Sequence, residues 1–136
     1  MDIKANISHK GKSYSASVAA SDAKILLYQK KIGDKIFGDA LGLAGYELLI
    51  TGGSDRAGFP MRKGIIGMGR KKILTGYGAG FRPLDKRLIM RRTVCGLQVY
   101  DETAQVNFKV VKEGAKKLEE IFVKEQKAEN VEAKAS

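Results

Sequence analysis

Two runs of alternating apolar and polar residues occupy the beginning of the chain. Such alternation is typical of strands that bury one face. The apolar members of the two runs are Ile3, Ala5 and Ile7, then Tyr14, Ala16 and Val18. A short segment containing Gly11 separates the runs, so the pattern predicts a β-hairpin over residues 2–20.

A short helix is predicted after the hairpin. Ser21 or Asp22 can cap its start, and apolar residues at helical spacing continue to about Lys30. Gly33 ends this pattern because glycine is a poor helix former. The segment therefore indicates one short helix.

Short strands and turns are predicted between residues 32 and 51. Residues 32–37 favour a short strand, and residues 38–42 indicate a turn or a single helical turn. The apolar run at residues 46–51 predicts another strand. The glycines at positions 52 and 53 are expected to end it.

Glycine is frequent between residues 52 and 80. Each glycine costs a helix interior about 1 kcal/mol, so this segment opposes long helices. It favours loops and tight corners, where a missing Cβ allows a close approach of the backbone. One short strand is predicted within it, at residues 72–75.

The last part of the chain predicts a second hairpin and a helix. Residues 93–100 and 106–111 favour strands joined by a turn at residues 101–104. From Gly114 to about Gln126 the apolar residues follow helical spacing. Residues 127–136 have no apolar face and are expected to form a flexible tail.

These elements together predict a mainly β fold, a small and largely antiparallel β-barrel with two short helices, one of them C-terminal. The chain has 136 residues, which suits one domain, and its hydrophobic fraction of 43% is sufficient for a core. Neither an internal repeat nor a linker divides it. We therefore expect a single β-barrel domain at residues 1–126, followed by the tail at residues 127–136.

Positive charge is concentrated in the middle of the chain. The formal net charge is +10, and residues 56–92 hold eleven cations against one acid, Asp85, while the rest of the chain carries fourteen charges of each sign. Short charged runs are usually solvated surface, but an excess over so long a segment attracts polyanions. We therefore predict that a continuous basic surface binds nucleic acid. Its cations are Arg56, Arg62, Lys63, Arg70, Lys71, Lys72, Arg82, Lys86, Arg87, Arg91 and Arg92.

Catalytic and metal-binding residues are not predicted. His9 and Cys95 are the only residues of their types, so neither an internal disulfide nor a common zinc site can form. His9 is expected on the surface, without an acid spaced to pair with it, and Cys95 in the core. The sequence has no apolar run long enough to span a membrane and no secretory signal. We expect a cytoplasmic protein that is not an enzyme and has no cofactor, metal, membrane partner or small-molecule substrate.

Glycine motifs and aromatic residues in the chain allow more than one interpretation. Residues 11–13, Gly-Lys-Ser, lack the earlier glycine of a phosphate-binding loop. The glycines at 76, 78 and 80 indicate either a flexible turn or a backbone that lies close to a phosphate. Phe59 favours the core, whereas Tyr77 and Phe81 fit either the core or stacking on unpaired bases.

The segment Gly-Gly-Ser-Asp-Arg-Ala-Gly-Phe-Pro-Met at residues 52–61 resembles the signature of the S6e family of small-subunit ribosomal proteins. Four further blocks resemble that family in the same order, at residues 38–42, 80–83, 91–94 and 110–114. The chain differs at Cys95, where the family often has arginine, and its mixed-charge end is similar to the short archaeal form. The resemblance implies a small barrel core and a place in the small ribosomal subunit, with ribosomal RNA and neighbouring ribosomal proteins as partners.

The sequence therefore predicts a structural constituent of the cytoplasmic ribosome that binds small-subunit ribosomal RNA through its basic, glycine-rich central segment. A nucleic-acid-binding regulatory protein outside the ribosome is the alternative, and a sequence-selective duplex footprint would favour it. An adaptor role also stays open for the helix that begins at Gly114, if Leu118 and Phe122 were exposed.

Overall fold

The computed structural model describes residues 2–122, apart from the side chains of residues 20, 23, 24 and 40. The predictions for residues 123–136, including the flexible tail, lie outside this range. The strands are β1 (Ile3–His9), β2 (Lys12–Val18), β3 (Lys35–Phe37), β4 (Glu47–Asp55), β5 (Arg70–Thr75), β6 (Met90–Cys95) and β7 (Thr103–Lys112). Helix α1 spans Ala20–Leu27, a 3-10 helix spans Gly38–Leu41, and the described part of helix α2 is residues 118–122.

Five strands form one sheet in the order β2-β1-β7-β4-β3. Neighbours are antiparallel except β1 and β7, which run parallel. The predicted first hairpin is confirmed, and Lys10 and Gly11 connect its strands with φ angles of 47° and 77°. Positive φ at both residues is the geometry of the tight turn that matches the twist of antiparallel strands.

The core lies on one face of this sheet. Its central strands contribute alternate side chains that are fully buried, as expected for a half-buried strand, among them Ile7, Leu48 and Phe108. Both helices cover this face: Leu27 of α1 is fully buried, and the ring of Phe122 in α2 stacks on Tyr14 of β2 with centroids 5.0 Å apart. Leu118 and Phe122 are thus buried, so the adaptor interpretation loses its apolar patch.

The prediction of a mainly β fold with two short helices, one of them C-terminal, is confirmed, but the predicted barrel closure is wrong. The five-stranded sheet is open, with β2 and β3 at its edges, and β5 and β6 form a separate two-stranded ribbon. The two basic strands pair with each other and not with a sheet edge. Isolated bridges join Cys95 of the ribbon to Met61, and Pro60 to Ser54 of β4. The segment after β4 thus connects the ribbon to the sheet, and these bridges are too few to close a barrel.

The predicted second hairpin is also wrong. Residues 93–95 belong to β6 and pair with β5, while β7 lies between β1 and β4. The parallel pairing places Val106 beside Ala5 and Phe108 beside Ile7. β7 therefore buries its apolar face between two strands that are distant in sequence.

Strand β4 continues through the glycines that were expected to end it. A Cβ on Gly53 would lie 2.3 Å from the Gln105 carbonyl oxygen of β7 and 3.1 Å from the Met61 sulfur atom. Glycine here allows close packing of β4 against β7 and Met61, which is one of the positional roles of glycine in strands.

Candidate nucleic-acid interface

The β5–β6 ribbon carries five of the predicted cations. Its register pairs Lys72 with Thr93 and Leu74 with Arg91 on one face, and Lys71 with Val94 on the other. The side chains of a strand alternate between faces. Adjacent cations such as Lys71 and Lys72 therefore point to opposite sides of the ribbon.

The basic surface is thus not the single continuous face that the charge pattern predicted. Lys72 and Arg91 are exposed on one side of the ribbon, whereas Lys71 and Arg92 are exposed on the other. The ribbon joins the rest of the molecule at its Arg70–Cys95 end. Cations are thus exposed on both sides of the ribbon, and the segment that connects its strands covers part of the side that carries Arg92.

The segment between β5 and β6 folds back over one face of the ribbon. Gly78 and Phe81 form a tight turn with reciprocal backbone hydrogen bonds of 2.9 and 3.1 Å. Phe81 is buried, with the Arg92 guanidinium 5.2 Å from its ring centroid. Arg82, the next residue, is exposed.

Tyr77 is the aromatic residue in this segment that stays open to solvent. Its side chain is 49% exposed, and the Lys86 ammonium lies 5.3 Å from the ring centroid. By contrast, Phe59 packs against the core with Arg70 over its ring at 5.3 Å. The core assignment of Phe59 is therefore confirmed, and Tyr77 retains a ring surface on which a base could stack.

Arg62 already has partners inside the protein. Its guanidinium donates to the Thr75 hydroxyl and lies beside Gly78, where a Cβ would be 3.1 Å from Nη2. The side chain thus holds the beginning of the folded-back segment against the end of β5. Its role in the structure is to fix the shape of the ribbon.

Arg70 is the second cation with internal partners. Its Nε donates to Oδ2 of Asp55 at 2.5 Å, and its Nη2 donates to Glu102 at 3.2 Å. The Asp55 side chain is fully buried, whereas that of Arg70 is 39% exposed. This ion pair ties the base of the ribbon to the end of β4.

Asp55 accepts hydrogen bonds at both carboxylate oxygens. Oδ1 accepts from the N–H groups of Ala57 (3.0 Å) and Phe59 (2.9 Å), which shapes the turn after β4. Oδ2 accepts from Arg70, from the Tyr100 hydroxyl (3.2 Å) and from the Cys95 thiol (3.4 Å). Among the residues that the structure describes, no buried side-chain polar atom lacks a partner.

The titration of this cluster follows from its burial and hydrogen bonds. Burial alone would raise the pKa of Asp55, but the bonds from Arg70, Phe59 and Cys95 outweigh it and the pKa lies below its ordinary value. Burial raises the pKa of Cys95 to about 11. Asp55 is therefore ionised and Cys95 is a neutral core thiol, as its assignment to the core predicted.

The other predicted cations lie at the surface with few protein partners. Arg87 pairs with Asp85 at 3.4 Å, an exposed contact that contributes little, and Lys71 donates to the Ile66 carbonyl oxygen at 2.7 Å. The remaining exposed cations of the segment are Arg56, Lys63, Lys72, Lys86, Arg91 and Arg92, together with Arg82. These side chains are available to an external ligand, in contrast to Arg62 and Arg70.

Two acidic partners were missed from the sequence. Asp55 was recognised only as part of the signature, and Glu102 only as a turn residue, although both hold Arg70. Similarly, His9 lies 2.9 Å from Glu113, so the expectation that it has no acid to pair with is wrong. The partners of Arg70 lie 15 and 32 residues away, and sequence spacing gives no signal for such pairs.

Other kinds of site are not evident in the described part of the chain. Residues 2–122 contain no group of three potential metal ligands, and none of their helices is both long and apolar enough to cross a membrane.

Comparisons with known proteins match the segment that includes the basic ribbon and the signature at residues 52–61. The family model of ribosomal protein S6e matches residues 2–123. The chain is 42% identical to the small ribosomal subunit protein eS6 of Methanoregula boonei over 122 residues, which cover 90% of this chain and 85% of the relative. The protein of the same name from Nanoarchaeum equitans is 53% identical over 96 residues, 71% of each chain, and that of Methanosphaera stadtmanae is 42% identical over 90% of this chain and 93% of its own. A match of this extent confirms the resemblance seen in the signature, and the chain belongs to the ribosomal protein S6e family.

Proposed function

We propose that the chain is a structural constituent of the small ribosomal subunit that binds small-subunit ribosomal RNA through its β5–β6 ribbon. Its relatives carry the name small ribosomal subunit protein eS6. The observation that carries the RNA contact is the ribbon itself, where cations are exposed on both faces and only Arg70 is neutralised by a buried acid.

The mechanism is electrostatic, with a fit of shape. Exposed cations neutralise phosphates and release condensed counterions. Arg82, Arg91 and Arg92 are the strongest candidates, because a guanidinium can bind a phosphate through two hydrogen bonds. A ribbon that is charged on both sides fits between two RNA segments, and the folded shape of the RNA with its 2′-hydroxyls supplies specificity.

The internal cations take a different part in this proposal. Arg62 and Arg70 hold the ribbon in place through Thr75 and Asp55, and we assign them to the support of the interface. Tyr77, with Lys86 beside it, would accept an unpaired base. In this proposal the protein has no catalytic role. It is a single-domain constituent of the cytoplasmic ribosome and contacts ribosomal RNA and neighbouring ribosomal proteins.

The test is a triple charge reversal, Arg82→Glu with Arg91→Glu and Arg92→Glu. The tagged variant should fail to sediment with small subunits. Its binding to small-subunit ribosomal RNA should lose about 2 to 3 units of salt dependence on a log–log plot. The matched control reverses three exposed lysines of the five-stranded sheet, Lys4, Lys109 and Lys112, and should still sediment with subunits.

Circular dichroism should give the spectrum of the folded wild type for both variants. Unchanged sedimentation of the arginine triple would refute the proposed interface. A sequence-selective footprint on duplex nucleic acid, together with absence from subunits, would favour the regulatory alternative.

A further inference from the structure

A groove of about 400 Å³ lies between helix α1 and the edge strand β3. Leu26 and Lys30 line its helix side, and Lys35, Ile36 and Phe37 line its strand side. Neither the basic ribbon nor the Asp55 cluster contributes to it. The groove therefore requires an explanation of its own.

The floor of this groove is a free sheet edge. β3 pairs with β4 on one side only and has no strand on the other. Asp34 accepts from the N–H of Ile50, and the N–H of Gly38 donates to Tyr46, so bonded positions alternate along β3 and include Ile36. The N–H and C=O groups of Lys35 and the N–H group of Phe37 consequently point away from β4, towards the groove. The carbonyl of Phe37 is at the N-cap of the 3-10 helix and accepts the first hydrogen bond of that helix.

The side chains around this edge combine apolar surface with positive charge. Phe37 is 72% exposed although it is a large apolar residue. Lys30 and Lys35 flank the groove, and the one acid in its lining, Asp39, already accepts a hydrogen bond from the N–H of Gly45. The lining thus holds two lysines against one acid, and its net charge is positive.

We propose that this groove binds an extended segment of a neighbouring ribosomal protein, which adds to β3 as a sixth strand of the sheet. Backbone hydrogen bonds to Lys35 and Phe37 would hold the segment, as in other cases of strand addition to a sheet edge. An apolar side chain fills the groove between α1 and β3, and acidic side chains of the segment pair with Lys30 and Lys35.

This inference rests on the proposed place of the chain in the small subunit. β3 pairs with the first residues of β4, whereas the ribbon is anchored at Asp55, the last residue of that strand. From Leu48 to Asp55 the strand extends roughly 20 Å. The two surfaces are far enough apart for one molecule to contact RNA at one end of β4 and a protein at the other.

Phe37 offers a selective test of the strand addition. Its φ of −82° is compatible with proline, and its N–H points away from β4. Phe37→Pro removes the donor for the added strand and leaves the β3–β4 hydrogen bonds in place. Phe37→Ala is the matched control, because it also removes the aromatic ring but retains the N–H group.

The experiment is zero-length carbodiimide crosslinking of intact small subunits that contain the full chain, followed by mass spectrometry of the linked peptides. We expect amide links from Lys30 or Lys35 to an acidic residue of another ribosomal protein. Phe37→Pro should lower the yield of these links about tenfold, while Phe37→Ala should lower it less than about threefold. Ultraviolet crosslinks between the ribbon and ribosomal RNA, measured in the same subunits, should be the same for both variants.

The crosslinks that the wild-type protein forms from Lys30 or Lys35 test the inference even if a variant folds poorly. Links only to a second copy of the chain or to its own glutamates between residues 123 and 136, RNA as the only partner of this groove, or no links at all would overturn it. An equal loss of yield in both Phe37 variants would overturn the strand addition. If the ribbon still crosslinks to RNA in those cases, the proposed function stands. If the chain is absent from small subunits, both the proposed function and the strand addition are refuted.

Discussion

Replacement of Asp55 is expected to loosen the attachment of the basic ribbon. Asp55→Asn keeps one carbonyl oxygen for the N–H groups of Ala57 and Phe59 but places an amide NH2 against Arg70 and Tyr100. A lost hydrogen bond to a charged group costs about 1.5–3 kcal/mol, so we expect about 2–3 kcal/mol for this variant. Asp55→Ala also removes two backbone partners, at about 1 kcal/mol each, which gives about 4–5 kcal/mol in total.

The free energy of unfolding of these variants can be measured in urea by circular dichroism and tyrosine fluorescence. Asp101→Asn, which neutralises an exposed acid in a turn, is the control and should change stability by less than about 0.5 kcal/mol. If Asp55→Ala were no more destabilised than Asp55→Asn, the hydrogen bonds at Oδ1 would not contribute to the free energy of unfolding. If Asp55→Asn matched the wild type, the role of the whole cluster would be refuted.

The pH dependence of stability gives an independent check on Asp55. Its pKa in the folded protein lies below the ordinary value of 3.8. The ionised carboxylate therefore stabilises the fold above that value, and this stabilisation is lost as the pH falls through the folded pKa. The difference in stability between the wild type and Asp55→Asn should accordingly narrow below pH 3.8. A difference that stays constant into that range would contradict an ionised Asp55.

Two further predictions concern residues near this cluster. Gly53→Ala should lower the melting temperature in a thermal scan, because its Cβ would lie 2.3 Å from the Gln105 carbonyl oxygen. The control is Gly52→Ala, whose Cβ meets no atom within 4 Å. Equal melting temperatures for the two variants would refute the close contact. Cys95 should resist iodoacetamide at pH 8 in the native protein and react fully in urea, because it is buried and its pKa is raised to about 11. Mass spectrometry measures the labelling, and rapid labelling of the native protein would contradict the burial of Cys95.

Local patterns predicted the parts of the fold that depend on neighbouring residues. The alternation before and after Gly11 was sufficient for the β1–β2 hairpin, because one face of each strand is buried and the connecting turn is short. The apolar run that ends at Thr51 located β4, although not its continuation to Asp55. Its extension depends on packing against β7, which only the tertiary structure brings close.

Pairings between distant strands could not be predicted from periodicity. β7 pairs in parallel with β1 across about 100 residues of sequence, as in the register of Asn6 with Asn107. An alternating pattern reports that a strand has a buried face but contains no information about its partner. The same limit explains why residues 93–100 were paired with the wrong strand and why the sheet was expected to close.

The charge pattern indicated a candidate segment but did not separate its exposed cations from those with partners inside the protein. Arg70 and Lys72 are equivalent in a count of charges, yet Arg70 is held by Asp55 and Glu102, whereas Lys72 is exposed. The two acids that hold Arg70 lie outside residues 56–92, so the charge count within that segment does not show that Arg70 is neutralised.

The same geometry separates what identifies the family from what would contact RNA. Gly53, Asp55 and Met61 belong to the signature, and each is fixed by the protein interior: a close backbone contact, a buried carboxylate and a core side chain. None of the three presents a positive charge to solvent. These three residues therefore build the base on which the ribbon stands. Apart from Arg56, the exposed cations lie beyond the signature, among them Arg82 and Arg91. Proteins that share the signature should thus share the position of the ribbon even where their exposed cations differ.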